Sequence, residues 1–189
     1  MFADINLELF NFINHSIQNP VFDCIMPVIT HFGGFEFLGV LLLIVLVYAH
    51  MKKKNTLKRI IFLSIVALLF SDIIAVVLKH LIHEPRPFAT LSNLHLLISE
   101  NDPFSFPSGH ATSTVSVVTF LILNMKELTE KYYKVIDIFL IIFAVLIAFS
   151  RIYVGVHYPF DVLAGIILGL FGAFVVNKYK DKIAGIFFK

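Results

Sequence analysis

The stretch from Leu57 to Phe88 reads LKRIIFLSIVALLFSDIIAVVLKHLIHEPRPF, and it decides the fold class of this chain. Its first part, about residues 57–82, is a long apolar run. A helix needs roughly 20 such residues, at a rise of about 1.5 Å each, to cross a bilayer. Two cations, Lys79 at the end of this run and Arg86 after it, lie where membrane-spanning chains usually carry few charges. The stretch therefore predicts a transmembrane helix followed by an unusual pair of basic residues.

The composition of the whole chain places it among integral membrane proteins. Of its 189 residues, 58% are hydrophobic, 21 are Phe and 15% are charged. A soluble domain of this length would be about half apolar and about one quarter charged. The apolar residues also fall in long runs, which predicts an all-α membrane protein. The single cysteine, Cys24, allows no internal disulfide.

The apolar runs divide the chain into five predicted spans and an amino-terminal helix. Residues 4–19 are too short and too polar to span, but their apolar positions recur at helical spacing, which predicts a helix lying in the membrane interface. The alternative is that this segment forms a sixth span. We expect a single transmembrane domain over residues 1–189, built as a helical bundle of five spans or alternatively six. The predicted spans cover about residues 25–50 (interrupted by Gly33 and Gly34), 57–82, 108–124, 132–152 and 160–178.

The positive charges are distributed unevenly between the predicted loops. Twelve of the 15 Lys and Arg residues fall on one side of the membrane, which the positive-inside rule assigns to the cytoplasm. The other three are Lys79, Arg86 and Arg151, and they fall on the opposite side. This distribution predicts a multi-pass cell-membrane protein with an external amino terminus and three isolated external cations. The residues on the cytoplasmic side are Lys52, Lys53, Lys54, Lys58, Arg59, Lys126, Lys131, Lys134, Lys178, Lys180, Lys182 and Lys189.

Two outer loops combine these cations with helix ends. Residues 83–107 form an unusually long loop, which ends in FPSGHATST and opens the third predicted span. Ser108 is a suitable N-cap there, and Gly109 would let an anion approach the unpaired amides of the helix start. The second outer loop contains His157 and leads to Asp161. Four helix ends thus meet at one membrane face and predict a phosphate pocket with a nucleophile and an acid.

Three motifs lie in and beside these outer loops: Lys79-x6-Arg86-Pro87, Pro107-Ser108-Gly109-His110 and Ser150-Arg151-x5-His157-x3-Asp161. In order and spacing they resemble the three-part motif of the type 2 phosphatidic acid phosphatase superfamily. They cover residues 79–161 together, and their combination is far more specific than any one of them alone. The small size and short amino terminus look similar to the bacterial undecaprenyl-diphosphate phosphatases of that superfamily.

The resemblance implies three catalytic residues. His157 would attack phosphorus and form a phosphohistidine, which water later hydrolyses. Asp161 would accept a hydrogen bond from the other ring nitrogen of His157, and its spacing of four residues suits a shared helix face. His110 would protonate the departing group and then activate water for the second step.

The resemblance also implies five residues that bind the substrate phosphate. Lys79, Arg86 and Arg151 would hold the nonbridging oxygens. Backbone amides around Ser108 and Gly109 would contribute further donors, and pre-placed donors of this kind usually give the largest single catalytic effect. We expect no metal and no cofactor, because fixed cations already neutralise the phosphoryl charge.

We therefore expect a lipid phosphatase that hydrolyses a polyprenyl (undecaprenyl-type) diphosphate to the monophosphate and inorganic phosphate at the outer membrane face. Phosphatidate or phosphatidylglycerophosphate is the alternative substrate. A small lipid or anion transporter and a metal-dependent hydrolase are alternatives of other classes, but the sequence has no inverted repeat and no usual zinc-ligand spacing. The expected partners are the lipid substrate and membrane lipids, and not nucleic acid. The sequence leaves the oligomeric state open.

Several other polar residues have no catalytic role in this interpretation. Asp72 lies near the middle of a span, where an ionisable group is costly, and we interpret it as a buried hydrogen-bond acceptor. Glu36, Glu84 and Asp102 are not assigned a role. The histidines interpreted as surface or packing residues are His15, His31, His50, His80, His83 and His95.

Overall fold

The computed structural model describes residues 2–188. Within that range the regular structure is helical, apart from one isolated β-bridge between Pro85 and Phe104. A π-helical turn at Phe12–Ser16 follows the first helix. The helices are α1 (Phe2–Asn11), α2 (Pro20–His31), α3 (Phe35–Met51), α4 (Asn55–Ile82), α5 (Pro87–Thr90), α6 (Gly109–Leu128), α7 (Tyr133–Tyr153), α8 (Pro159–Lys178) and α9 (Lys180–Phe187).

Three of these helices, α4, α7 and α8, are long and apolar enough to cross a membrane by themselves. The pair α2 and α3 meets the same test as one broken span, with a bend of 57° between its halves. The break contains Gly33 and Gly34, where the sequence predicts an interruption. The remaining long helix, α6, has 20 residues but lower hydropathy, because Ser and Thr residues fill its first half.

The polar helix α6 nevertheless lies inside the bundle, at the same height as α8. At one end, Ser108 N donates to Asp161 O at 3.0 Å. At the other end, Asn124 Nδ2 donates to Asn177 Oδ1 at 3.0 Å, so the two helices run parallel. The Ser and Thr side chains in the first half of α6 are buried, and Ser116 Oγ donates to a backbone carbonyl of α4. Such polar side chains connect helices within a membrane bundle. In the described part of the chain, three helices and the broken pair are candidate spans by length and composition, α6 is buried beside them, and the predicted all-α membrane bundle is confirmed.

The amino-terminal segment is too short to form the alternative sixth span. Helix α1 and the π-helical turn that continues it, Phe2–Ser16, cover at most about 22 Å, whereas the hydrocarbon core of a bilayer is about 30 Å thick. The side chains of Ile5, Leu9 and Phe12 are exposed, while Phe10 is buried and packs against Tyr158. The segment therefore lies across the end of the bundle with apolar side chains directed outward.

Two glycines allow α8 to pack directly on the backbone of α6. A Cβ atom at Gly165 would lie 2.6 Å from Ser108 O, and one at Gly169 would lie 2.7 Å from Thr112 O. Only glycine permits so close an approach of two backbones. This contact fixes the beginning of α6 against the first turns of α8, where two of the three sequence motifs lie.

Candidate active site

A cavity of about 650 Å³ opens at the end of the bundle where α4 and α7 end and α6 and α8 begin. The structure brings residues of all three motifs to its wall. The two remaining predicted site residues, Ser108 and Asp161, are buried behind that wall. The predicted residues that line the cavity are Lys79, Arg86, Gly109, His110, Arg151 and His157.

The imidazole of His157 is buried at the cavity wall, with one ring nitrogen beside a guanidinium group. Arg86 Nη1 lies 3.2 Å from His157 Nε2 and also donates to Val156 O at 3.0 Å. Burial, followed by the positive charges of Arg151 and Arg86, holds the pKa of His157 well below its usual value. The ring is therefore neutral, and a guanidinium donor at Nε2 assigns the lone pair to that nitrogen. A neutral ring with its lone pair toward the cations is suited to attack phosphorus.

The carboxylate of Asp161 lies on the other side of this ring. Its Oδ2 atom is 3.5 Å from His157 Nδ1 and accepts a hydrogen bond from Tyr158 N at 2.8 Å. Among the described residues, neither His157 Nδ1 nor Asp161 Oδ1 has a hydrogen-bond partner. The expectation of a shared helix face is wrong, because α8 begins at Pro159 and leaves His157 outside the helix. The pair is instead formed by the extended backbone at Tyr158.

The beginning of α6 places His110 and Gly109 at the cavity and turns Ser108 away from it. Ser108 is the N-cap, and its Oγ accepts from Ala111 N at 3.5 Å. Its own amide donates to Asp161 O, so that amide is not available to a ligand. The amides of Gly109 and His110 belong to the first turn, whose N–H groups have no acceptor within a helix. These two amides, and not that of Ser108, can donate to an anion in the cavity.

Two carboxylates that the sequence interpretation did not assign, Glu100 and Asp102, pair with the cavity cations. Asp102 Oδ2 lies 2.7 Å from Lys79 Nζ and 3.5 Å from Arg86 Nη2. Glu100 forms an ion pair with Arg151, and its Oε2 lies 4.0 Å from Arg86 Nη2. Burial raises the pKa of Asp102, but hydrogen bonds from Lys79 and from a backbone amide outweigh it, so the net pKa lies below its usual value. No spacing in the sequence indicates these pairs, since both carboxylates lie in the irregular loop before α6.

The broken span also contributes to the site, although the sequence interpretation gave it no role there. Thr30 Oγ1 accepts from Arg151 Nη1 at 2.8 Å, and both side chains are buried. Gly34 packs against the catalytic candidate His110, because a Cβ atom at Gly34 would lie 3.3 Å from its Nε2. His31 is exposed and lines the cavity, so the residue interpreted as a surface or packing histidine lies at the mouth of the site. In the sequence, the predicted break at Gly33 and Gly34 is the feature that marks the segment forming this side of the cavity.

The cavity extends toward the middle of the bundle and ends at a polar floor. Asp72 on α4 accepts from Ser113 Oγ on α6, at 2.8 Å to Oδ1 and 3.0 Å to Oδ2. Both residues line the cavity. Asp72 thus links two helices as a hydrogen-bond acceptor. Over residues 2–188, no group of three or more His, Cys, Asp or Glu side chains is arranged to hold a metal ion.

Comparisons with known proteins identify the family of this chain. Residues 60–184 match the model of the PAP2 superfamily. The chain is 33% identical over 178 residues to undecaprenyl-diphosphatase BcrC of Bacillus subtilis, covering 94% of this chain and 85% of that protein. It is 34% identical over 172 residues to phosphatidylglycerophosphatase B of Bacillus subtilis, covering 88% of this chain and 79% of that protein.

A solved structure shares the whole architecture. The crystal structure of the PAP2-type phosphatidylglycerolphosphate phosphatase of Bacillus subtilis superposes with a TM-score of 0.79 at 30% identity, covering 96% of this chain and 87% of that one. The resemblance seen in the three motifs is thereby confirmed over the length of the fold. The chain belongs to the PAP2 superfamily, and it is a multi-pass membrane protein of the lipid phosphatase type.

Proposed function

We propose that this protein hydrolyses an undecaprenyl-type polyprenyl diphosphate to the lipid monophosphate and inorganic phosphate. The similarity to undecaprenyl-diphosphatase BcrC supports this choice of substrate. The observation that carries the proposal is the position of His157 Nε2, which lies 3.2 Å from Arg86 in a cavity that Lys79 and Arg151 also line. A terminal phosphate held by these cations would present its phosphorus to an unprotonated nitrogen.

In the proposed reaction, His157 Nε2 attacks the terminal phosphorus and forms a nitrogen–phosphorus bond. The bond from phosphorus to the bridging oxygen breaks, and His110 gives its proton to that oxygen, which leaves on the lipid monophosphate. Water then attacks the phosphohistidine and returns a proton to His110. The nitrogen–phosphorus bond breaks, inorganic phosphate leaves, and both histidines regain their starting state.

The remaining motif residues would stabilise charge during these steps. Lys79, Arg86 and Arg151 would hold the nonbridging oxygens together with the amides of Gly109 and His110, and such fixed donors also make a metal ion unnecessary. Asp161, 3.5 Å from His157 Nδ1, would stabilise the positive ring that forms when Nε2 carries phosphorus. Ser108 would act indirectly, since its N-cap bond orients the beginning of α6.

We place this site on the extracytoplasmic side of the cell membrane. The support is the positive-inside rule, because the loops at the opposite end of the bundle carry most of the Lys and Arg residues. We also propose that the chain acts as one domain over residues 1–189, since the broken amino-terminal span, α4, α6 and α7 line one cavity and α8 packs against α6 beside it.

A phosphatidylglycerophosphate or phosphatidate phosphatase is the second candidate. The similarity to phosphatidylglycerophosphatase B and to a solved phosphatidylglycerolphosphate phosphatase favours it. All of these lipids end in a phosphate group on a membrane-anchored tail, so the same cations and the same nucleophile would serve each reaction.

The experiment that tests the function is phosphate release by the purified full-length protein in detergent from a panel of lipid phosphates and diphosphates, with excess chelator. We expect the largest kcat/KM for the polyprenyl diphosphate, and loss of hydrolysis in His157→Ala and Arg151→Ala. In His110→Ala, hydrolysis should fall by about 10²–10⁴-fold, because both steps lose their proton-transfer group. The histidine control is His50→Ala, in the last turn of α3 at the opposite end of the bundle, which should retain full activity.

Other results would select a different function. A preference for phosphatidylglycerophosphate would favour the second candidate. Hydrolysis that stops with chelator would refute the metal-free mechanism, and unchanged activity in His157→Ala would refute the assigned nucleophile.

A further inference from the structure

The loop between α5 and α6 occupies the phosphate-binding cations with its own carboxylates. Asp102 pairs with Lys79 and Arg86, and Glu100 pairs with Arg151. These are the three cations that would hold a phosphoryl group in the proposed function. A phosphate and the two carboxylates carry charge of the same sign and require the same donor atoms. They therefore exclude each other from the cavity.

The exposures of the partners decide which side of each pair can move. The side chains of Arg151 and Arg86 are 1% and 3% exposed, whereas those of Glu100 and Asp102 are 21% and 42% exposed. Arg151 on α7 also donates to Thr30 of α2, and Arg86 also donates to the backbone carbonyls of Val156 and Asp102. These contacts hold the arginines in place, and a buried cation without a partner is costly. The carboxylates lie on a loop beside solvent, so they can withdraw into water at lower cost. The loop residues, and not the cations, are the parts that yield.

We propose that Glu100 and Asp102 are internal competitors of phosphate, so that binding of the phosphoryl group is an exchange in which the carboxylates leave the cations. The inference rests on the proposed function, which identifies the incoming anion as a phosphate. The same exchange in reverse assists product release, because the returning carboxylates replace inorganic phosphate on the cations. Both residues thus set the affinity of the site without touching the reacting atoms.

Exchange has a thermodynamic signature that a purely structural role lacks. Removing one carboxylate charge leaves a buried cation unpaired, so the protein without phosphate becomes less stable. The same change removes the competitor, so phosphate binds more tightly. The two effects have opposite directions. If the carboxylates only supported the pocket, their removal would weaken both stability and phosphate binding.

The test is thermal unfolding of the full-length protein in detergent, titrated with inorganic phosphate, for wild type, Glu100→Gln and Asp102→Asn. We expect a lower melting temperature without phosphate in each variant and a larger upward shift when phosphate is added. The apparent dissociation constant for phosphate should fall about tenfold, the low end of the coupling found for close charge pairs. Asp102→Asn, at the more exposed position, keeps the test decisive if Glu100→Gln does not fold.

The matched control is Glu127→Gln at the opposite end of the bundle. Glu127 pairs with Arg59 at 2.5 Å and with Lys180 at 2.8 Å, so its loss also breaks two ion pairs. It should lower the melting temperature without changing the affinity for phosphate. Unchanged or weaker phosphate binding in Glu100→Gln and Asp102→Asn would overturn the proposal, as would equally tightened binding in Glu127→Gln.

Hydrolysis of the lipid panel by wild type, measured on the same preparations, separates this inference from the proposed function. Tightened phosphate binding in the variants supports the exchange even if no lipid is hydrolysed, and in that case only the proposed function fails. Active wild type with unchanged phosphate affinity in the variants overturns the exchange alone. In an active enzyme, inhibition by added phosphate should become stronger in both variants by the same factor as binding.

Discussion

The contact between α6 and α8 predicts that a single methyl group at Gly165 disables the site while leaving the fold intact. The added Cβ would lie 2.6 Å from Ser108 O and 3.0 Å from the Cβ of Ala111. Normal contacts between heavy atoms are about 3.5–4.0 Å, so α8 must withdraw from α6 by roughly 1 Å. Gly165 lies one turn after Asp161, so the displacement moves the His157–Asp161 pair relative to His110.

The expected magnitude follows from this displacement. A misplacement of about 1 Å between catalytic groups can cost on the order of 100-fold in rate, and overpacking of a buried contact usually costs about 1–3 kcal/mol of stability. We therefore expect Gly165→Ala to remain folded and to lose on the order of 100-fold in kcat. The assay is phosphate release under saturating lipid substrate, with thermal unfolding of the same samples.

Two control substitutions show whether the loss of kcat comes from displacement of the site or from overpacking alone. Gly169→Ala also meets backbone, at 2.7 Å from Thr112 O, but it lies one turn farther from the site, so it should lower stability with a smaller loss of kcat. Gly39→Ala meets nothing within 4 Å and should change neither quantity appreciably. The reasoning is refuted if Gly165→Ala keeps wild-type kcat, or if Gly169→Ala loses as much kcat as Gly165→Ala.

Two further predictions concern the groups around the cavity. Thr30→Val removes the hydroxyl that accepts from Arg151 Nη1. A hydrogen bond to a charged group contributes about 1.5–3 kcal/mol, so kcat/KM should fall roughly 10- to 100-fold. Thr30→Ser keeps the hydroxyl and should keep kcat/KM near the wild-type value. Equal losses in Val and Ser would show that the hydroxyl is not the cause. The second prediction concerns how the stability of the protein depends on pH. In the unfolded state, a histidine takes up a proton near pH 6.5. In the folded state, His157 stays neutral because burial and the charges of Arg151 and Arg86 lower its pKa. The unfolded state then binds more protons, so stability falls as the pH drops below about 6.5. His157→Gln should flatten this dependence of the melting temperature, and an equally steep dependence in the variant would contradict the assignment.

The sequence by itself determined the class of the protein and predicted which side chains meet at one site. A membrane-spanning helix is visible in the sequence because its apolar surface comes from about 20 consecutive residues. The charges of Lys79, Arg86 and Arg151 stood out because the rest of the outer side lacks cations. Motif spacing then predicted one pocket, and those side chains do meet at a single cavity.

The tertiary structure alone decided how that pocket is supported and what competes for it. Thr30 and Glu100 reach Arg151 across 121 and 51 residues of chain, a separation that no local pattern describes. Likewise, the Ser108 amide that the motif suggested for phosphate instead donates to Asp161 O, which lies next to it in space. Such contacts depend on the relative placement of helices. That placement results from packing across the whole bundle, which no stretch of sequence specifies alone.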